Sequence, residues 1–79
     1  MMNMAISASP ERLAQVTLLD EHKNYRTFLI PEKQIMQNVR EVCEKEDIVN
    51  LTLYGPTAYI EKIKNDIVAE NFDNINFTR

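Results

Sequence analysis

The stretch Leu51–Ile67, LTLYGPTAYIEKIKNDI, decides the fold because it joins a strand pattern to a helix pattern. Leu51 and Leu53 alternate with polar residues, which is typical of a half-buried strand. Beyond Gly55 and Pro56 the apolar residues recur every three or four positions, as they do along one face of a helix. Gly55 is the only glycine of the chain, and proline suits the first position of a helix because its fixed φ and missing N–H cost nothing there. The stretch therefore predicts a strand that turns directly into a helix.

Three further strands and one helix are predicted before this stretch. Met2–Ser7, Arg12–Leu19 and Tyr25–Ile30 alternate between apolar and polar residues, and the last two should pair as a hairpin. Pro31 should begin the first helix, whose apolar stripe is Ile35, Met36, Val39, Val42 and Cys43. A short terminal strand, INFTR, should follow the second helix at residues 75–79.

The predicted fold is a single two-layer α/β (α+β) domain over residues 1–79, with the element order (β)ββαβαβ and a mixed sheet. Right-handed crossovers would make the last three strands parallel and put both helices on one face of the sheet. The hairpin would then add antiparallel strands at one edge. The N-terminal run would add one further strand. The predicted core consists of Ile35, Val39, Val42, Leu51, Leu53, Ile60, Ile63 and Ile67. The second sheet face would lack a cover, and a partly apolar uncovered face indicates a surface for a partner or for self-association.

Composition restricts the class of protein. The chain has 79 residues, 44% of them hydrophobic and 27% charged, as expected for one soluble globular domain. It lacks an apolar run of the ~20 residues that span a bilayer and the pattern of a signal peptide. Its single cysteine, Cys43, cannot form an internal disulfide, so we expect a reducing, cytoplasmic location. The net charge of −3 disfavours binding to a nucleic-acid backbone.

The stretch LYGPTAYIEKI resembles a junction of the ribonuclease H-like family, whose core also has three antiparallel strands followed by αβαβ. In that family a Thr-Asp-Ser-x-Tyr-Val/Ile motif follows the fourth strand, and its Asp binds metal. Here Tyr54–Pro56 stands in place of Thr-Asp-Ser, while Tyr59–Ile60 matches the hydrophobic pair. The resemblance implies a nuclease fold, but two-metal hydrolysis needs converging carboxylates. Asn3 and Gly55 stand where acids would be required, so the sequence predicts a catalytically degenerate member and disfavours a nuclease.

Three other residues that could belong to a functional site are better explained by structural roles. His22 lies in a charged turn without Cys or His partners at the spacing of zinc ligands. Cys43 falls on the apolar helix stripe, which indicates a core thiol and not a nucleophile. Gly55 fits a sharp turn better than a phosphate site, because Pro56 removes one N–H donor and no phosphate motif follows. We therefore expect no catalytic residue, metal or cofactor.

The sequence predicts a non-enzymatic interaction module that self-associates as a homodimer or docks on a larger protein. Aromatic residues dominate binding energy in interfaces, so Tyr25, Phe28, Tyr54 and Phe77 are the candidate contacts. The alternative is a small acidic, phage-type inhibitor that blocks a basic nucleic-acid-binding surface of a host protein. The small size, the negative charge and the acidic run between Glu41 and Asp47 fit this alternative.

Overall fold

The computed structural model describes residues 1–78, which form one five-stranded sheet and two helices. The strands are β1 (Met2–Ser7), β2 (Ala14–Asp20), β3 (Tyr25–Ile30), β4 (Val49–Tyr54) and β5 (Ile75–Phe77), and the helices are α1 (Ile35–Lys45) and α2 (Thr57–Ala69). The strand order across the sheet is β3-β2-β1-β4-β5. β2 runs antiparallel to both β1 and β3, whereas β1 with β4 and β4 with β5 are parallel. The predicted class, a mixed sheet with two helices in the predicted order, is confirmed.

The N-terminal strand β1 occupies the centre of the sheet, whereas the sequence predicted it as an addition beside the hairpin. Backbone hydrogen bonds tie it to β4, from Met2 N to Ile48 O at 2.8 Å and from Ala8 N to Tyr54 O at 2.9 Å. β3 runs in the direction of β4 and β5, as predicted, but β2 and β1 lie between β3 and β4. Alternation shows which side of a strand is buried but not which strands are its neighbours, and this is why the position of β1 was missed.

The predicted starts of β2, α1 and α2 lie earlier than the observed ones because irregular residues precede the regular structure. β2 begins at Ala14 and not at Arg12, since Arg12 N bonds Ser9 O and Glu11 adopts a positive φ of 62°. Pro31 is extended and leads into a 3₁₀ turn over Glu32–Gln34, so that α1 begins only at Ile35. Pro56, predicted as the first residue of the second helix, is its N-cap with ψ of 133°, so that α2 begins at Thr57.

The observed C-terminal strand ends before the predicted one. β5 ends at Phe77, and the predicted strand extended to Arg79, which lies outside the described residues.

Asn74 Nδ2 donates to the carbonyl oxygens of Cys43 and Glu46, each at 2.9 Å, and thereby fixes the loop before β5 to the end of α1. Across residues 1–78, neither helix is long and apolar enough to cross a membrane.

The core lies between the sheet and the helices. Its buried strand residues all have the side-chain direction of Met4 and Ile6, and the buried residues of α1 and α2 belong to the same cluster. Of the predicted core, Ile35, Val39, Val42, Leu51, Ile63 and Ile67 are buried. Leu53 and Ile60 are only partly buried, because they lie where β4 ends and α2 begins, at the margin of the layer.

Candidate functional site

The residues that alternate with the core residues along the strands form a second sheet face, here called the uncovered face. They are Tyr25, Thr27 and Leu29 in β3, Gln15, Thr17 and Leu19 in β2, Asn3, Ala5 and Ser7 in β1, Asn50, Thr52 and Tyr54 in β4, and Asn76 in β5. None of these residues is buried. The described part of the chain therefore leaves this side of the sheet open to solvent across all five strands.

The uncovered face has no charged residue, although 27% of the chain is charged. Its side chains are amides, hydroxyls, small groups and a few large apolar or aromatic groups. Tyr25, Leu29 and Tyr54 are 67%, 60% and 55% exposed. Depletion of charge and enrichment of tyrosine distinguish the centre of protein interfaces from ordinary surface, and tyrosine with small polar residues is also typical of antibody binding loops.

Hydrogen bonds between neighbouring strands order the polar part of the uncovered face. The hydroxyls of Thr17 and Thr27 lie 3.2 Å apart, and Asn50 Nδ2 donates to Asn3 Oδ1 at 3.1 Å. Beside these pairs, Tyr25 borders a shallow hollow of about 470 Å³. Side chains that are already fixed lose less conformational freedom on binding, so the face is suited to contact a partner without rearrangement.

The structure divides the four predicted contact residues between the two sides of the sheet. Tyr25 and Tyr54 lie on the uncovered face, at different strands and different ends of it. Phe28 and Phe77 point to the core side, where each pairs in register with a buried residue of the neighbouring strand. The four aromatic rings therefore do not form one surface, and only the two tyrosines belong to the uncovered face.

The positions of the phenylalanines follow from the strand period. Phe28 is two residues from the buried Ile30, and Phe77 is two residues from Ile75, so each pair shares a face. On the core side a cation covers each ring, Arg26 over Phe28 and Lys64 over Phe77, at 5.3 Å from the ring centroids. Applied to Tyr25, the same period would have identified Leu29 as a further residue of the uncovered face.

A second cavity, of about 580 Å³, lies on the helical side near the beginnings of α1 and α2. Ile35 and Ile63 contribute to its apolar lining, and the Tyr59 hydroxyl donates a hydrogen bond to Glu32. Loss of solvation raises the pKa of Tyr59 to about 12, and the hydrogen bond to Glu32 adds to this effect. Tyr59 thus stays protonated near neutral pH and links the 3₁₀ turn to α2.

The other residues that the sequence raised as possible site residues make contacts that serve the fold. Cys43 is a free, buried thiol, and desolvation raises its pKa, which opposes thiolate formation. The backbone N–H of His22 donates to Asp20 Oδ1 at 2.9 Å within the hairpin turn. Gly55 has φ of 154° and lies against the backbone of Ala8. Within residues 1–78, His, Cys, Asp and Glu form no group of three or more that could hold a metal ion.

Comparison with known proteins finds no matching family model, no significantly similar curated protein and no significantly similar solved structure. The resemblance of the Tyr54–Ile60 junction to the ribonuclease H-like family therefore stays a prediction.

Proposed function

We propose that this protein is a non-enzymatic interaction module that docks on protein partners, including a second copy of itself, through the uncovered face and its edge. The observation that carries the proposal is the uncovered face itself, which extends over five strands, has no buried residue and has no charge. A small domain gains stability when such a surface is covered, because only about 60% of its unfolded-chain surface is buried on folding.

The tyrosines supply the expected binding energy. Tyr25 and Tyr54 present large exposed rings, and tyrosine is among the residues that contribute most to protein interfaces. The hydroxyls and amides between them offer hydrogen bonds without the desolvation cost of a charge. We also propose a cytoplasmic location, because the free thiol of Cys43 would stay reduced there.

A second candidate function is the acidic inhibitor of a basic, nucleic-acid-binding protein surface. It is favoured by the acidic run at the end of α1, where Glu41, Glu44 and Asp47 are exposed. The two candidates differ in their response to salt. Binding through charged residues weakens as salt screens them, whereas binding through the uncovered face should change little.

The proposed function is tested by adding a charge to the uncovered face. Wild-type protein on a solid support captures the partner from a native lysate, the partner is identified and purified, and its affinity for each variant is measured by titration. Tyr54→Lys should weaken binding at least about tenfold, because it removes an aromatic contact and places a charge in the interface. The control is Val68→Lys on α2, since Val68 and Tyr54 are both 55% exposed, and it should leave the affinity within about twofold.

Two results would contradict this function. If Tyr54→Lys and Val68→Lys bind the purified partner equally well, the uncovered face is not the docking surface. If raising the salt concentration abolishes the binding of wild-type protein, the acidic inhibitor becomes the better account.

A further inference from the structure

Two strands end the sheet, and they differ in their capacity to pair with another chain. β5 has three residues, whereas β3 has six, and short edge strands resist pairing. β3 contains no proline, and its one charged residue, Arg26, lies on the core side over the ring of Phe28. β3 is thus neither short nor interrupted by proline, and the inward-pointing charge of Arg26 is its one protective feature.

The hydrogen bonds of the hairpin determine which backbone groups of β3 point outward. Asp20 N donates to Asn24 O at 3.1 Å, which makes these residues the first hydrogen-bonded pair of the β2–β3 ladder. Because such pairs alternate in an antiparallel ladder, the N–H and C=O groups of Tyr25, Thr27 and Leu29 point away from β2. The side chains of the same three residues lie on the uncovered face.

We propose that a second copy of this chain occupies this edge, with β3 of the two copies paired antiparallel about a two-fold axis at Thr27. The inference rests on the proposed function and specifies its partner. In this register Thr27 faces Thr27, and Tyr25 of each copy faces Leu29 of the other. Each pair exchanges two backbone hydrogen bonds. Thr–Thr pairs stabilise neighbouring strands, and Tyr25 and Leu29 would bury apolar surface against each other.

The register follows from charge and backbone chemistry. With the axis at Thr27, Arg26 faces Phe28 of the second copy, a favourable pairing of cation and aromatic ring. An axis at Arg26 would place two arginines opposite each other, and like charges in that position are destabilising. An axis at Phe28 would place Tyr25 opposite Pro31, which has no N–H to donate. Only the axis at Thr27 uses all the outward groups of β3.

The register also places the two uncovered faces side by side in one continuous sheet, because residues opposite each other in an antiparallel pair share a face. A second copy thus satisfies the outward backbone groups of this edge and extends the uncovered face across both copies.

The test introduces a charge at the two-fold axis of the proposed dimer. Dimerisation of each variant is measured by sedimentation at micromolar concentration. Wild-type protein should sediment at twice the monomer mass of 9.2 kDa. Thr27→Lys and Thr27→Glu should each weaken the dimer at least about tenfold, because two like charges would face each other. An equal mixture of the two variants should dimerise again, since opposite charges then meet. Thr27 is exposed, so both variants should keep the circular dichroism spectrum of wild type and melt close to it at concentrations where wild type is monomeric.

The control is Asn76→Lys, which adds the same charge to the same face at the opposite edge and should leave the dimer intact. A wild-type monomer throughout the concentration range would overturn the proposal, as would a mixture of charge variants that stays monomeric. A dimer that Asn76→Lys weakens as much as Thr27→Lys would also overturn it. In each case, the titration of Tyr54→Lys against a purified partner still decides the proposed function separately.

Discussion

Leu51→Ala is expected to lower the free energy of unfolding by about 2–5 kcal/mol. Leu51 is fully buried in β4, between β1 and β5. Its truncation removes apolar contacts and leaves a cavity that close-packed neighbours fill only in part. Thermal denaturation followed by circular dichroism should show a melting temperature lower by about 8 °C or more, because each kcal/mol is worth about 4–8 °C in a domain of this size.

The matched control for this substitution is Leu13→Ala, because Leu13 is 59% exposed just before β2. Its melting temperature should stay close to that of wild type, since surface substitutions change stability by about 0.5 kcal/mol or less. Equal melting of Leu51→Ala and wild type would mean that the register of β4 is wrong.

Gly55→Ala is expected to destabilise the protein by more than about 1 kcal/mol. Gly55 has φ of 154°, a conformation that side chains disfavour, and an added Cβ would lie 2.0 Å from the backbone oxygen of Ala8. The oxygen belongs to the chain just after β1, where Ala8 N bonds Tyr54 O at 2.9 Å. The methyl group could therefore be accommodated only if the contact between the ends of β1 and β4 opened.

Denaturant titration of Gly55→Ala beside Thr57→Ala isolates this effect. Thr57 is exposed at the start of α2, so its truncation should change stability by about 0.5 kcal/mol or less. Binding of a purified partner should survive in the fraction of Gly55→Ala that folds. A fully folded Gly55→Ala variant that no longer binds would contradict the structural role of Gly55 and favour an anion site at the turn.

Local patterns in the sequence predict the elements well because each pattern depends on one face of one element. The alternation of Met4 and Ile6 identified β1, and the 3.6-residue stripe of Ile35 and Val39 identified α1. The same patterns do not specify neighbours across the sheet. The central position of β1 depends on its parallel pairing with β4, more than forty residues away in the chain, and no local signal reports such a pairing.

Only part of the candidate site was predicted from the sequence. An uncovered face was expected from the count of helices, but its contact residues were chosen by aromatic type alone. Period two would have assigned Phe28 to the side of Ile30 and Tyr25 to the side of Leu29. The outward direction of the β3 backbone groups depends on the hydrogen bond between Asp20 and Asn24, which sequence patterns do not reveal.

The proposed self-association pairs the edge strand β3 and leaves the helices free, and amide hydrogen exchange distinguishes these two surfaces. Exchange is measured residue by residue on wild-type protein, in a dilute sample and in a concentrated one. The outward amides of Tyr25, Thr27 and Leu29 should exchange freely when dilute and become protected when concentrated, because pairing supplies acceptors for them. The amides of α1 and α2 should exchange alike in both samples. Protection that appears only in the helices, or that does not change with concentration, would contradict pairing of β3 between two copies.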